Sequence, residues 1–246
     1  AHGKDTFYYL TTGTRNNAFG HSALQNTTTG SFNSAFGNEA AKTITTGNEN
    51  TAFGAFSLGA TTTASYNVGV GNSALGANTT GENNTAVGFQ AMKASTTGSN
   101  NTAVGKFALD ANTTGYSNVA IGKEALSGNT TGHRNVAIGL DAMLVSNGTY
   151  NVAVGSYALD ANTTGGSNVA VGMHALGANT TAGDSTAVGY EALGATTVAG
   201  QTAVGYGAMT QNTTGDGNVA IGYFAKRYGT GHDNCTAVGY EALQGV

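Results

Sequence analysis

The sequence predicts an all-β fold, a parallel β-solenoid of about fourteen coils with 17 residues each. The first observation is a recurring tripeptide, Ala-apolar-Gly, that spaces its glycines 17 residues apart, with only two steps of 16. The second is Asn-x-Ala-Val-Gly, which alternates faces with the period of a strand. The third is a Thr-Thr-Gly segment with turn chemistry. A helical hairpin would need two amphipathic runs of about 10 residues each, and these do not fit between glycines spaced this closely. The fourteen motif glycines are Gly20, Gly37, Gly54, Gly71, Gly88, Gly105, Gly122, Gly139, Gly155, Gly172, Gly189, Gly205, Gly222 and Gly239.

The repeat defines the domain organisation. Residues 16–246 form one predicted β-solenoid repeat domain, without a linker or a shift in composition. Gly3 lies in the same register as the motif glycines, so residues 1–15 are predicted to be a degenerate N-terminal repeat. We number each coil from its motif glycine, which is position 0.

Composition excludes several functional classes. The chain has 9 Lys and Arg against 13 Asp and Glu, a net charge of −4. It therefore has too few cations to hold nucleic acid or an anionic membrane surface. No apolar run is long enough to span a bilayer, so we expect no membrane insertion. Its one cysteine cannot form an internal disulfide.

Asparagine occupies position −4 in eleven of the fourteen coils. Stacked coils place identical residues in columns roughly 4.8 Å apart. An inward Asn column can then bond its amides along the stack, as in cross-β structures. The alternative is a turn residue that tolerates the left-handed conformation; the start of a strand favours the amide ladder.

Both faces of the predicted strand lack charge, which indicates burial on both faces. One face fills the interior of the coil and the other needs a partner, so we predict a homo-oligomer, either a homotrimer or a filament. Packing and assembly are assigned to the apolar column at −1 and the Leu column at +4. Their central members are Val87, Val104, Ile121, Ile138, Val154 and Val171 at −1, and Leu109, Leu126, Leu159 and Leu176 at +4.

Three words of the repeat are Asn118-Val119-Ala120-Ile121-Gly122, Asn135-Val136-Ala137-Ile138-Gly139 and Asn151-Val152-Ala153-Val154-Gly155, each followed by x-x-Ala-Leu or x-x-Ala-Met. They resemble the head repeats of trimeric autotransporter adhesins. Similar words occur in phage tail-fibre shafts. The resemblance implies a left-handed parallel β-roll of three chains, exposed on a cell or virion, that binds host or matrix surfaces without chemistry. The 17-residue coil is longer than that of the family, because the Asn-Thr-Thr-Gly turn is added.

Nothing in the sequence predicts catalysis, a cofactor or a metal. The five histidines fall in different columns, without metal-ligand spacing. Acidic residues recur at +2 but alternate there with many other types, which indicates a solvated face. A periodic chain offers no unique set of acid, base and nucleophile, so an enzyme is not expected.

Adjacent threonines recur at +8 and +9 in ten of the thirteen complete intervals. A Thr row on a rigid solenoid resembles, in composition, the surface of ice-binding β-solenoids. The structural alternative is Thr that satisfies backbone groups in a turn. Only one Thr of a pair can point outward if the segment is extended. The candidate ladder comprises Thr79, Thr80, Thr96, Thr97, Thr113, Thr114, Thr130 and Thr131.

Tyrosine becomes frequent at +1 late in the chain, at Tyr190, Tyr206, Tyr223 and Tyr240. Such a row can stack on sugars or a neighbouring protein, or its rings can stack on each other between coils, which we favour.

Together, these features predict an extracellular structural protein, a subunit of a fibre, filament or adhesin head that assembles with itself. The alternative function is ice binding through the Thr ladder.

Overall fold

The structure is a computed structural model that describes residues 2–228 and 231–244. Residues 1, 229–230 and 245–246, which belong to the predicted repeats, lie outside the described residues. The chain divides into two compact units, Ala1–Thr131 and Gly132–Val246.

Each unit contains seven strands of three residues, all centred on position −2. The strands of the first unit are β1 Asn17–Phe19, β2 Ser34–Phe36, β3 Thr51–Phe53, β4 Val68–Val70, β5 Thr85–Val87, β6 Thr102–Val104 and β7 Val119–Ile121. Those of the second unit are β8 Val136–Ile138, β9 Val152–Val154, β10 Val169–Val171, β11 Thr186–Val188, β12 Thr202–Val204, β13 Val219–Ile221 and β14 Thr236–Val238.

Within each unit, every strand pairs in parallel with the next strand of the chain, in the register of the repeat. Ala18 pairs with Ala35 in the first unit, and Val169 pairs with Thr186 in the second. The segments between strands are turns and bends, with no helix among the described residues. The predicted all-β parallel solenoid with 17-residue coils is therefore confirmed.

The described part of the predicted N-terminal repeat also forms a coil. His2 makes a parallel bridge with Phe19, and the amide of Gly20 donates to the carbonyl of His2 at 2.8 Å. Further along, the amide of Thr11 donates to the carbonyl of Thr28 at 3.0 Å. The backbone therefore keeps the repeat's hydrogen bonds although the side chains depart from its consensus.

The motif glycine is required twice over, as Gly37 shows. Its φ of 142° lies in a region that side chains disfavour. A Cβ there would lie 2.6 Å from the carbonyl of Gly54 in the next coil. Both reasons recur along the stack, which explains why this column does not vary.

Three further positions in each coil have a left-handed backbone, namely −5, +2 and +4. In one coil these are Asn100, Phe107 and Leu109, with φ of 61°, 58° and 54°. A β-branched side chain is strained in this region. The three columns contain no Val, Ile or Thr anywhere in the repeat, whereas those residues fill the strands and the Thr pair. The backbone therefore selects the side-chain type at each position.

The interior of each unit is built from small and aliphatic columns. The Ala side chains at −2 and +3 and the Leu or Met side chains at +4 are almost all fully buried. Small Ala columns let opposite walls of the coil approach, and the Leu column fills the remaining volume.

The Asn column at −4 forms the predicted amide ladder. Asn84 is fully buried, and its Oδ1 accepts from the amide of Asn101 at 3.0 Å. Its Nδ2 donates to the carbonyl of Gly98 at 2.8 Å. Direct amide-to-amide bonds also occur, such as Asn101 Nδ2 to Asn84 Oδ1 at 3.2 Å. Because nearly every interior amide bonds to the following coil, the ladder ties each coil to the next.

Candidate assembly surface and threonine ladder

The outward side of the strands carries the −3 and −1 side chains, and we call it the outer sheet face. Strand pairing places these side chains in two straight rows within each unit. Neither row contains a charged residue. At −1 the first unit presents Phe19, Phe36, Phe53, Val70, Val87, Val104 and Ile121, and the second presents Ile138, Val154, Val171, Val188, Val204, Ile221 and Val238.

All six candidate residues at −1 lie on the outer sheet face and none is buried. Val104, Ile121 and Ile138 each expose more than a third of their surface. Val87, Val154 and Val171 are half-buried. The −3 row beside them is Thr or Val throughout the central coils. A continuous uncharged surface of this kind is typical of an interaction site.

Aromatic rings extend this row near the start of the first unit. The ring centroids of His2 and Phe19 lie 4.9 Å apart, those of Phe19 and Phe36 6.5 Å, and those of Phe36 and Phe53 5.8 Å. The rings cover part of each other, yet 54% of Phe19 and 58% of Phe53 remain exposed.

The Leu candidates lie in a different place. Leu109, Leu126, Leu159 and Leu176 are fully buried in the interior. The structure therefore does not bring the two candidate columns together. The −1 column is available to a partner, whereas the Leu column packs the inside of its own coil.

The threonine pair also divides into two columns. At +8, the hydroxyls of Thr79, Thr96 and Thr113 donate to the carbonyl of the +8 residue in the next coil, at 3.0–3.1 Å. Thr130 occupies the same position, and all four are half-buried. The +8 column therefore has the structural role that the sequence left as one alternative.

At +9, the candidates Thr80, Thr97, Thr114 and Thr131 are exposed. Thr29, Thr46 and Thr63 continue the row, so the first unit carries exposed Thr in seven consecutive coils. As expected for an extended segment, one residue of each pair points outward. The outward row is thus a single column of hydroxyls and methyl groups.

The tyrosine row of the second unit stacks on itself. Ring centroids lie 5.0 Å apart for Tyr190 and Tyr206, 5.3 Å for Tyr206 and Tyr223, and 5.2 Å for Tyr223 and Tyr240, with nearly parallel planes. Inter-coil stacking is therefore confirmed. Because neighbouring ring faces cover each other, Tyr206 and Tyr223 present mainly edges and hydroxyls to solvent, whereas 73% of Tyr240 remains exposed. The Glu191 carboxylate beside Tyr190 raises the pKa of that phenol.

A second interior polar column, at +7, was not recognised in the sequence. It contains the fully buried Asn78, Asn112 and Asn162, each with Nδ2 donating to the carbonyl three residues later at 3.0 Å. These residues also match glycosylation sequons, but in the fold they are inaccessible. The recurrence of Asn before the Thr pair was the signal that could have revealed this column.

A shallow depression of about 430 Å³ lies on the second unit. Gly177 and Gly194 leave it open, and Asp160, His174 and Glu191 are among its lining residues. Burial raises the pKa of the Asp160 carboxyl, and the positive charge of His174 opposes that shift. Among the described residues, no group of three or more His, Cys, Asp or Glu side chains is arranged to hold a metal ion.

Comparison with known proteins adds no relative. Neither the family models, nor the curated proteins, nor the solved structures include a match to this chain. Within residues 2–228 and 231–244, no helix has the length and apolar character needed to cross a membrane. What is shown is a repetitive parallel β-solenoid with 17-residue coils.

Proposed function

We propose that this chain is an extracellular structural protein, a subunit of a fibre, filament or adhesin head that assembles with itself through the outer sheet face. The observation that carries the proposal is the pair of uncharged rows at −3 and −1, which are aligned in every coil of each unit and are at least partly exposed.

The outer sheet face leaves apolar side chains in contact with water. Burying apolar surface is favourable by roughly 25 cal/mol per Å². The −1 side chains expose apolar area that the interior cannot take up, because the Ala side chains on the opposite side of the same strands already fill it. A second copy presents the same flat rows with the same spacing, so like faces are complementary in shape.

The resemblance of the repeat words to adhesin heads and tail-fibre shafts supports the trimer within this proposal. In such an assembly one apolar column lines the contact between chains, and here the −1 column would take that place. Location on a cell or virion surface, and binding of a host surface or glycan, belong to the same proposal.

Light scattering of the purified chain tests assembly, with two matched variants from the second unit. Ile138 lies on the outer sheet face with 36% exposure, and Val145 lies at +6, away from that face, with 43% exposure. Ile138→Asp should reduce the mass to the 24.4 kDa of one chain while the circular dichroism spectrum is retained. Val145→Asp should leave the assembly intact. A wild-type chain that is monomeric at tens of micromolar, or Ile138→Asp with unchanged mass, would refute the proposal.

The exposed +9 row favours ice binding as a second candidate function. Seven exposed Thr side chains, one in each consecutive coil, present methyl and hydroxyl groups in the first unit. Thermal hysteresis of the wild-type chain, with Thr97→Lys and the off-row variant Asn100→Lys, tests this candidate. Activity lost only in Thr97→Lys supports it, and absence of hysteresis in the wild-type chain removes it.

A further inference from the structure

Lys226 interrupts the aliphatic interior column of the second unit. It occupies position +4, where Leu159, Leu176, Leu193 and Met209 are fully buried. Its backbone has the same left-handed conformation as theirs, and its amide donates to the carbonyl of Ala242 at 2.7 Å. Only 2% of Lys226 is exposed. The fold therefore directs a cationic side chain into the interior.

The ammonium of Lys226 has no partner among the described residues. Its Nζ is buried without a hydrogen bond, and no described carboxylate pairs with it. Asp233, which follows the lining residue His232 in the chain, has a carboxylate that accepts from the amide of Asp216 at 3.0 Å. A buried charge without a partner is strongly unfavourable, because it loses its hydration and gains no compensating contact. An anion beside Nζ would remove that penalty.

A second buried donor in the same coils also lacks a partner among the described residues. Elsewhere the Asn at −4 donates from Nδ2 to a carbonyl 14 residues later, as Asn84 does to Gly98. Asn218 keeps only the acceptor bond of the ladder, in which its Oδ1 accepts from the amide of Cys235 at 2.9 Å. Its Nδ2 is buried, and no described residue accepts from it. Two buried donors of this coil are therefore without a partner among the described residues.

A cavity of about 80 Å³ lies at this place, lined by Lys226, His232, Cys235 and Leu243. A water molecule needs only about 10–15 Å³ by such a measure, so the cavity has room for a few non-hydrogen atoms. Cys235 stands where most coils have Asn, and its smaller polar group contributes to this space. Leu243 provides the aliphatic side chain of this lining.

We propose that this cavity is a binding site for a carboxylate with a short aliphatic chain. The ammonium of Lys226 pairs with the carboxylate, and Leu243 contacts the alkyl group. The carboxylate can be a free small acid or the Asp or Glu side chain of a second copy of this chain.

Titration of the full chain with sodium acetate tests the site, against sodium chloride at the same ionic strength. We expect acetate to raise Tm with a saturable dependence that chloride does not reproduce, and ¹³C-acetate NMR to show the bound form. Lys226→Met should lose both effects and should melt higher than the wild type without acetate, because Met suits this column. The exposed cation variant Lys93→Met should keep the acetate response.

Two results would overturn the proposal: a wild-type chain with no acetate-specific shift and no bound ¹³C-acetate, or Lys226→Met that retains them. Because the NMR arm uses only the wild type, it decides even if the variant does not fold. Light scattering in the same titration separates the two sources. A mass that falls as acetate saturates indicates a carboxylate from a second copy, and a constant mass with saturable binding indicates a free acid.

Discussion

Ala120 and Ile121 are adjacent residues of β7, yet Ala120 is fully buried and 38% of Ile121 is exposed. The same contrast between the inner and the outer face recurs in the other strands. The inner face tolerates almost only Ala, because opposite walls of a coil meet there. The outer face tolerates Phe, Val and Ile, because these side chains remain partly or largely exposed in each unit. A strand that is apolar on both faces is therefore fully packed on its inner face, whereas its outer face remains in contact with solvent.

A side chain at a motif glycine, where the backbones of successive coils approach most closely, should cause the largest loss of stability. Gly205 has φ of 133°, and a Cβ there would lie 2.7 Å from the carbonyl carbon of Gly222. Gly205→Ala should destabilise the second unit by about 2–6 kcal/mol, because backbone strain and overpacking each cost about 1–3 kcal/mol. Urea denaturation measures the loss. Gly200→Asn is the control, since Gly200 has φ of 69° with open space around it; an equal loss there would contradict the close-approach argument.

Shortening an interior side chain and a side chain of the outer sheet face should give the next largest difference in the free energy of unfolding. Leu126→Ala leaves an interior cavity and should cost about 2–5 kcal/mol. Ile121→Ala removes exposed atoms and should cost about 0.5 kcal/mol in single chains. Both variants are compared by urea denaturation at a concentration where light scattering shows no assembly. Equal losses in single chains would show that the outer face is covered by its own chain.

The left-handed positions predict an intermediate effect that depends on backbone alone. Ser117 is exposed at −5 with φ of 56°. Ser117→Val should destabilise the first unit by about 1–2 kcal/mol, because a β-branched residue is strained there. Ser117→Gly should be neutral or stabilising, as Gly200 and Gly217 occupy the same position. Thermal melting of the two variants compares them, and the opposite order would refute the backbone explanation.

Substitutions in the two threonine columns should differ less in their effect on the free energy of unfolding. Thr113→Val removes a hydroxyl that donates to the Thr130 carbonyl at 3.0 Å and should cost about 0.5–1.5 kcal/mol. Thr114→Val has the same change of shape on an exposed side chain and should remain within about 0.5 kcal/mol of the wild type. If the two variants are equally stable, the +8 hydroxyl is not structural.

The smallest effect is electrostatic. Burial raises the pKa of Asp110 above its ordinary value of 3.8, and Glu124 adds to the shift, while backbone hydrogen bonds and Lys93 oppose it. The ionised carboxyl is thus disfavoured in the fold, so Asp110→Asn should be slightly more stable than the wild type at neutral pH. The difference should shrink as the pH falls through the raised pKa and disappear below 3.8. Melting curves at pH 7 and pH 3 test this, with Glu82→Gln as the exposed control; a gain that persists at pH 3 would contradict it.

Much of the architecture was predictable because stacked coils turn each position of the repeat into a column, and the residue types of a column reflect its place in the coil. The spacing of the glycines, the alternation around Ala120 and the column at Asn118 were enough to predict parallel strands and 17-residue coils. The absence of β-branched residues at −5, +2 and +4 was also visible, but its meaning needed the φ angles. The interior Asn column at +7 was hidden within the turn segment, where Asn has several roles.

The sequence by itself determined the coil length, the parallel register and the uncharged outer face, since these follow from period and residue type. Only the tertiary structure separated Ile121 from Leu126, and Thr113 from Thr114, because the direction of a side chain in a turn depends on backbone angles that residue type does not specify. The same holds for Lys226, an ordinary surface residue by composition. Only the structure showed that the left-handed backbone at +4 buries its ammonium, which has no partner among the described residues.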